Sequence, residues 1–440
     1  MNFGNTSTPV VVIGMEHYGG LGIARSLGRL GVPVHGIDPN RRVPGFVSRY
    51  CREKRFWDIE GSTPGSTVAF LLSIGISIGR PSILIPTSDE SALFVAEHAE
   101  ALRRRFLFPD QPVELVRSLC SKKEMYFLAK KSGIPTAETL FPQSVEDVLR
   151  FLEQVRFPVM LKGIDGGRME KRTGKKMVKI RTERELLERY RKMEDPRQPN
   201  LMIQEYIPGG EDSVWMFNGY FDARSDCLFG FTGKKVRQNP VYTGMTSLGI
   251  CLRNPVVEET TVRFMKTIGY RGVLDIGYRY DSREGVYKVL DVNPRIGATF
   301  RLFTGVRRMD VARTLYLDLT GQPVHADVQR EGRKWIVEDK DIRSSIQYFR
   351  DGKLTLYQWI RSLRGIEEAG YFALDDLRPF IRLCGNHARR QLRQLFGLGS
   401  TDTRERSQRF RPVVSRRKRS RVLPSRFSPL PWDSMDREHV

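Results

Sequence analysis

The sequence predicts an α/β protein that begins with a doubly wound parallel sheet and continues as an α+β region. Residues 10–38 give the order strand, glycine-rich turn, helix and strand that opens doubly wound sheets. Residues 82–90, SILIPTSDE, form another apolar run that ends in polar residues. Residues 272–295 contain two apolar runs separated by DSREG, which is typical of an antiparallel hairpin.

The first turn, GMEHYGGLG, carries Gly14, Gly19, Gly20 and Gly22. The dinucleotide pattern G-x-G-x-x-G needs a different spacing, so NAD or FAD binding is disfavoured. The alternative is that the glycines let the helix pack closely on the sheet and leave a turn near a ligand. His17 lies in this turn, where packing or support of a neighbouring group suits it better than catalysis.

The strand at 82–86 ends in Thr87, Ser88, Asp89 and Glu90, at the edge where open α/β sheets place ligands. Ser88 or Asp89 can equally cap the helix that follows. Because one residue can do both, the sequence leaves both roles open.

The composition is that of a globular protein and narrows the function classes. The 440 residues are 40% hydrophobic, and the formal charge is +22. Such a charge suits nucleic acid, a membrane surface or anionic small substrates. No RNA- or DNA-binding motif accompanies it, and part of the excess lies in the last forty residues, so nucleic-acid binding is disfavoured.

Five scattered cysteines, without a Cys-x-x-Cys pair, favour reduced thiols over a disulfide framework or a zinc site. They are Cys51, Cys120, Cys227, Cys251 and Cys384. The first ten residues lack the pattern of a signal peptide, and the apolar run at 67–79 is too short to span a bilayer. We therefore expect a cytoplasmic protein.

Two lysines lie where a phosphate group can be bound. Lys122 begins a predicted helix, and Lys162 ends a predicted strand. Gly166 and Gly167 follow in a glycine- and lysine-rich turn, whose backbone N–H groups can approach phosphates closely. A single lysine on a protein surface is usually solvated and binds no ligand. Phosphate binding by Lys122 and Lys162 is therefore predicted only in combination with the residues described next.

The segment KVLDVNPR, residues 288–295, places polar groups at the end of an apolar strand. Asp291 and Asn293 are two apart on an extended chain, so they share a face, and both offer the oxygen ligands that hard divalent cations prefer. Asp275 lies across the predicted hairpin. Arg295 can neutralise phosphoryl charge, or it can pair with Asp291 as a structural ion pair.

These residues together predict a site for a nucleotide and Mg²⁺. Glu211, an acid directly after a tight turn, is a further candidate, although such an acid is more often a turn residue. The chain lacks the G-x-x-x-x-G-K-[ST] pattern, so the phosphates are predicted to bind without a Walker loop.

The same residues, in this order, resemble the ATP-grasp superfamily of carboxylate–amine ligases over about residues 8–325. The most specific motif is YKVLDVNPRIGA, followed by VMLKGIDGG and IQEYIPGGED. The resemblance is greatest to the actinobacterial-type branch that includes D-aspartate ligase-like enzymes. It implies an ATP-grasp fold with an N-terminal Rossmann-like pre-grasp domain, a two-lobed nucleotide-binding domain and a helical C-terminal extension.

The resemblance also implies residue roles. Lys122 and Lys162 match lysines that contact the ATP phosphates, and Gly166 with Gly167 match the mobile loop that closes over ATP. Gln204, Glu205 and Ile207 match positions that bind adenine, and Glu211 matches the acid that binds ribose. Arg237 and Arg295 match the basic residues that neutralise the transferred phosphoryl group. Lys234 or Lys235 can replace Arg237 in this role. The implied ligands of Mg²⁺, or of Mn²⁺, are Asp275, Asp291 and Asn293.

Two positions depart from the family pattern. The last strand carries Asp291 where Glu is usual, and Gly277 stands where the preceding strand usually offers an acid. Asp275 shares a strand face with position 277 and is expected to reach the metal after a small shift. If it does not, one metal site is weakened or lost.

The resemblance implies four segments. They are a pre-grasp domain at 1–118, an ATP-grasp domain at 119–325 (a lid subdomain at 119–200 and a C-terminal lobe at 201–325), a helical extension at 326–398, and a basic disordered tail at 399–440. The tail contains SRRKRSR and is expected to contact anionic surfaces.

The implied function is ATP-dependent joining of a carboxylate to an amine through an acyl phosphate, with release of ADP and phosphate. The implied substrates are small molecules such as amino acids, and the implied assembly is a homodimer. The alternative is an ATP-binding regulatory or scaffold protein with weakened catalysis, which Gly277 and Asp291 favour.

Overall fold

The computed structural model describes residues 4–153 and 155–395, and the tail predicted at 399–440 lies outside this range. A parallel five-stranded sheet comes first, in the order β3-β2-β1-β4-β5. Its strands are β1 (Val10–Ile13), β2 (Val34–Ile37), β3 (Cys51–Arg55), β4 (Ser82–Pro86) and β5 (Phe106–Leu107). The helices α1 (Tyr18–Gly28), α2 (Pro64–Ile78), α3 (Asp89–Glu97) and α4 (Ala99–Leu102) connect them. The predicted doubly wound start is confirmed.

The glycines of the first turn serve close packing. A Cβ at Gly19 would lie 3.2 Å from the Ala298 backbone, and one at Gly22 would lie 2.9 Å from the Phe300 ring. At Gly20 a Cβ would come within 2.4 Å of the Gly14 carbonyl oxygen. Helix α1 can therefore lie directly against residues 298–300 only because these positions lack side chains.

A four-stranded sheet follows, in the order β6-β9-β7-β8. Its strands are β6 (Thr139–Leu140), β7 (Val159–Gly163), β8 (Met177–Ile180) and β9 (Leu201–Glu205), and the helices before and between them are α5 (Val113–Cys120), α6 (Lys122–Lys131), α7 (Val145–Leu152), α8 (Gly166–Thr173) and α9 (Glu183–Met193). Strand β9 pairs with β7, so this sheet crosses the division expected at residue 200.

A seven-stranded sheet forms the remaining lobe, in the order β14-β13-β10-β11-β12-β15-β16. Its strands are β10 (Val214–Phe221), β11 (Cys227–Asn239), β12 (Met245–Cys251), β13 (Gly272–Asp281), β14 (Val286–Asn293), β15 (Lys334–Ile336) and β16 (Ile366–Ala369). The hairpin predicted around DSREG is β13–β14. Helices α10 (Pro255–Thr267) and α11 (Val311–Leu319) accompany the sheet.

Between residues 326 and 395, the structure has three helices and also extends the sheet. Helices α12 (Glu338–Arg350), α13 (Leu356–Leu363) and α14 (Arg378–Leu395) are those expected there, and β15 and β16 add two strands. None of the described helices is long and apolar enough to cross a membrane. All five cysteines fall within the described residues, and each is a free thiol.

Candidate active site

Residues from the four-stranded and seven-stranded sheets, and from the turns and helix starts beside the parallel sheet, line one cleft of about 960 Å³. Strands β7 and β9 contribute Lys162, Met202 and Gln204, and the hairpin β13–β14 contributes Asp275, Gly277, Asp291 and Asn293. The segment after β4, residues 87–90, lines it as well. The cleft therefore brings together most of the residues that the sequence singled out separately.

The two predicted phosphate-binding lysines lie together in the cleft. Lys162 donates a hydrogen bond to Gln204 Oε1 at 2.5 Å, and Lys122 donates to the Ile164 carbonyl at 3.3 Å. Gln204 in turn donates to Thr139 Oγ1 at 3.0 Å. Burial and the neighbouring Lys122 charge lower the pKa of Lys162 to about 8. An ammonium that is desolvated in this way is stabilised by an incoming anion.

The predicted glycine-rich loop has a different structure. Gly166 and Gly167 form the first turn of α8, which Asp165 caps by accepting a hydrogen bond from the Arg168 amide at 2.9 Å. Neither glycine lines the cleft. The loop that does so follows α8, where Gly174, Lys175 and Lys176 face the cavity. The expectation of a mobile turn at 166–167 was therefore wrong, because a capped helix forms there.

Strand pairing assembles the predicted metal ligands. Asp275 stands opposite Asn293, and Gly277 stands opposite Asp291. Asn293 Nδ2 donates to the Asp275 carbonyl at 3.1 Å and to Asp291 Oδ2 at 3.3 Å. Asp291 itself is exposed to the cleft. Three oxygen-bearing side chains thus lie on neighbouring positions of two paired strands.

The Asp275 side chain is enclosed by the protein beside Asp291 and Asn293. Burial, together with the nearby Asp291 charge, raises its pKa to about 6, although Arg295 and Lys235 oppose the rise. A Cβ at Gly297 would lie 2.3 Å from Asp275 Oδ2, so the following loop closes directly over the carboxylate. A Cβ at Gly277 would meet nothing within 4 Å, which leaves the position opposite Asp291 open.

These residues fit a magnesium ion. Asp275 and Asp291 supply carboxylate oxygens and Asn293 an amide oxygen, which is the donor set that hard divalent cations select. The raised pKa of Asp275 fits too, because a cation would replace the solvation that this carboxylate has lost. The open position at Gly277 leaves room for water or phosphate oxygens on the same ion.

Arg295 connects two parts of the cleft. Its Nε donates to Asp89 Oδ1 at 2.8 Å and its Nη2 to Asn293 Oδ1 at 3.0 Å. Its ion pair is therefore with Asp89, at the start of α3, and the structural pair with Asp291 considered from the sequence does not form. Ser88 caps α3 and also lines the cleft, so the two roles left open by the sequence are combined in this residue.

Arg237 is not in the cleft, contrary to the expectation. It is 4% exposed and makes a two-pronged ion pair with Asp341 on α12, at 2.8 Å for each bond. Its Nη1 also donates to Ser362 at 2.6 Å. Lys235 faces the cleft instead and interacts with Asp275 and Asp291. Of the cations that the sequence offered here, Lys235 has the required position.

The adenine and ribose positions are only partly placed. Gln204 lines the cleft, whereas Glu205 and Ile207 do not, and Ile207 is buried. Glu211 begins a short 3₁₀ turn, and its side chain lies outside what the structure describes.

Glu205, Asp281 and Glu284 form an acidic cluster, with carboxylate oxygens within 4.8 Å of one another. The Lys288 ammonium donates to all three, at 3.0, 3.0 and 2.6 Å. Although burial opposes the charge, the hydrogen bonds outweigh it and raise the pKa of Lys288. Arg283 also pairs with Glu205 and Asp281, so two internal cations already bind these carboxylates, and we assign no metal to the cluster.

Sequence reasoning missed several cleft residues. Leu290 was expected in a buried strand, yet it lines the cleft, because a β-bulge beside Gly277 and Tyr278 changes the alternation of β14. Lys175 and Lys176 were visible only as part of a lysine-rich turn. Met177, Met202 and Met216 also line the cleft, as apolar side chains on separate strands, and no sequence signal distinguishes them from core residues.

Comparison with known proteins gives a consistent result at the level of the fold. No family model matches the chain. D-aspartate ligase of Enterococcus faecium is 24% identical over 241 residues, which cover 52% of this chain and 57% of that protein. The N-terminal section of the carbamoyl phosphate synthase large chain of Methanopyrus kandleri is 23% identical over 214 residues, covering 46% and 36%. The matches thus span less than two thirds of these relatives.

Solved structures match over more of the chain. N5-carboxyaminoimidazole synthetase from Staphylococcus aureus, complexed with ADP, has a TM-score of 0.58 at 15% identity, covering 76% of this chain and 81% of that one. L-amino acid ligase from Bacillus licheniformis has a TM-score of 0.55 at 14% identity, covering 72% and 75%. The chain therefore shares its fold with these ATP-grasp structures, as the resemblance seen in the sequence implied.

Proposed function

We propose that this protein is an ATP-grasp ligase that uses ATP to join a carboxylate to an amine. The observation that carries the proposal is the cleft in which Lys122 and Lys162 lie with the Asp275, Asp291 and Asn293 group. Cations for phosphates and oxygen ligands for Mg²⁺ in one cavity are what a nucleotide-dependent phosphoryl transfer needs. The similarity to D-aspartate ligase and to L-amino acid ligase supports amino acids as the substrate class.

The proposed reaction has two steps. A carboxylate oxygen of the first substrate attacks the γ-phosphorus of ATP, the bond to the β-phosphate oxygen breaks, and ADP leaves. The amine of the second substrate then attacks the acyl carbon, phosphate leaves, and the nitrogen loses a proton to give an amide. Bound Mg²⁺ would supply charge neutralisation at the phosphates.

This chain's own residues contribute position and charge. Lys122 and Lys162 are placed to bind phosphate oxygens, and Lys235 and Arg295 to offset charge near the transferred group. Asp89 holds the Arg295 guanidinium by accepting a hydrogen bond from its Nε. We assign the substrate side to residues 87–90 and His17, which also line the cleft.

A screen of amino-acid pairs, with ADP release as the signal, tests the proposal. We expect ADP release that depends on both an acid and an amine, together with a product heavier than either. A second candidate is an ATP-binding regulatory protein, which the open position at Gly277 favours. ATP binding without ADP release for any pair would support that candidate.

Lys162→Met is expected to weaken ATP binding by at least about tenfold, because a charge-assisted contact is lost. Melting temperature should change little, since the aliphatic part of the side chain is kept. Calorimetric titration with ATP measures the effect, and Lys54→Met, an exposed lysine on β3, is the matched control. Equal ATP affinity in a folded Lys162→Met protein would exclude this phosphate site.

ATP binding is expected to take up a proton above about pH 8 but not near pH 7. The pKa of Lys162 is about 8 in the free protein, so the amine is mostly neutral at pH 8.5 and mostly charged at pH 7. The phosphates favour the charged form, so affinity should fall as pH rises through 8. Calorimetry in buffers of different ionisation enthalpy measures the uptake. Unchanged uptake in Lys162→Met would assign the proton to another group.

A further inference from the structure

Helix α14 is attached to the body of the protein by one side only. Phe380 and Leu383 pack against the hydrophobic core that includes α1 and α11. Asn386 Nδ2 donates to the Arg42 carbonyl at 3.0 Å, and His387 Nε2 lies 3.2 Å from Asp339 Oδ2 on α12. These contacts fix which side of the helix is turned inward, and therefore which sides are left outside.

A second side of α14 is apolar and exposed. Its residues recur at spacings of four, three, four and four, which places them along one face of a helix. We call this face the apolar stripe; it comprises Leu377, Ile381, Cys384, Ala388 and Leu392. Ile381 is 65% exposed and Leu392 is 53% exposed. Within the described residues, no other element covers these side chains.

A third side of α14 is basic. Arg378, Arg382, Arg389 and Arg393 each directly follow a member of the apolar stripe, so they form a parallel row displaced by about 100° around the helix. In the described part of the chain, Arg378, Arg382 and Arg389 make no ion pair. Helix α14 contains neither Asp nor Glu.

The nearby acids are already paired inside the protein. Asp376 accepts from Arg25 at 3.0 Å, and Asp375 accepts from Arg29 at 2.8 Å. Glu368 pairs with Arg301 and with Arg333, each at 2.7 Å. Among the described residues, Arg378, Arg382 and Arg389 therefore have no anionic partner, and charge complementarity calls for an external one.

We propose that α14 docks this protein on an anionic lipid bilayer surface. The apolar stripe would lie at the level of the first acyl carbons, and the adjoining arginines would contact lipid phosphates, as in interfacial amphipathic helices. Contact between two copies through the apolar stripe suits the charges less well, because it brings two arginine rows together without acids. Helix α13 adds exposed apolar side chains in the same C-terminal segment, Leu356, Tyr357 and Ile360.

The proposal goes beyond ligation and is tested separately from it. Full-length protein is floated with vesicles of phosphatidylcholine alone, or with about one third phosphatidylglycerol. We expect binding to the anionic vesicles only. The double variant Ile381→Gln and Leu392→Gln should bind at least about tenfold more weakly, since two apolar side chains no longer leave water. Arg378→Gln with Arg389→Gln should also weaken binding.

Matched controls carry the same changes elsewhere. Ile76→Gln with Val256→Gln removes apolar side chains that are 62% and 55% exposed on α2 and α10, and should bind like the wild type. Arg104→Gln with Arg263→Gln makes the same charge change at two exposed arginines that form no ion pair within the described residues. All variants keep the basic residues at 415–421, so a general attraction of the tail is constant.

Three results would overturn the proposal. The first is that the Ile381→Gln and Leu392→Gln variant binds anionic vesicles as tightly as the wild type, because charge attraction alone would then explain the binding. The second is an equal loss in the control variants. The third is a wild-type dimer, measured by light scattering, that this variant converts to a monomer, which would make a second copy the occupant. Melting temperature and ADP release without vesicles should be unchanged throughout, because the stripe lies outside the cleft.

Discussion

Asp291→Asn is expected to reduce Mg²⁺-dependent ADP release by about two orders of magnitude or more, with little change in melting temperature. The substitution is almost isosteric and removes one negative charge from the proposed metal group. Asp291 is exposed, and its contact with Asn293 Nδ2, at 3.3 Å, can be kept by the amide oxygen. Activity is measured across a Mg²⁺ titration, and thermal melts report the stability.

The metal dependence separates a ligand from a structural residue. Higher Mg²⁺, or Mn²⁺, should restore part of the activity of Asp291→Asn, because metal affinity is the quantity reduced. Glu53→Gln, on an exposed strand outside the cleft, is the control and should behave like the wild type. A large drop in melting temperature with normal metal dependence in the folded fraction would refute the assignment of Asp291 as a ligand.

Arg237→Met is expected to lower the free energy of unfolding by about 3–5 kcal/mol, because it leaves the Asp341 carboxylate buried and uncompensated. Asp341 is 1% exposed and accepts both bonds from the guanidinium. Chemical denaturation measures the loss. The double variant Arg237→Met with Asp341→Leu should recover much of it, since it removes the unpaired charge as well.

Lys235→Met is the contrasting change on the same strand. We expect a folded protein with near-normal stability and strongly reduced ADP release, because Lys235 faces the cleft. If instead Arg237→Met were stable but inactive and Lys235→Met were active, Arg237 would be the residue that neutralises the phosphoryl charge. The pair of variants thus tests which cation of β11 serves the reaction.

Local sequence patterns were sufficient for the parts of the site that lie on regular strands. Asp291 and Asn293 were predicted to share a face from their spacing alone, and both line the cleft. Asp275 was placed across the hairpin and pairs with Asn293. The assignments of Gly166, Gly167 and Arg237 failed, since a helix and a bulge lie where a loop and a regular strand were assumed.

Short-range periodicity and turn chemistry were enough to predict the doubly wound start, the β13–β14 hairpin and the acid-x-Asn-x-Arg end of its second strand. In contrast, packing between distant segments determines which cation of β11 enters the cleft. Lys235 and Arg237 share a face in a regular strand, but pairing skips Val236, and the bulge turns Arg237 toward Asp341. A bulge is set by the partner strand and by packing across the sheet, so period-two alternation does not reveal it.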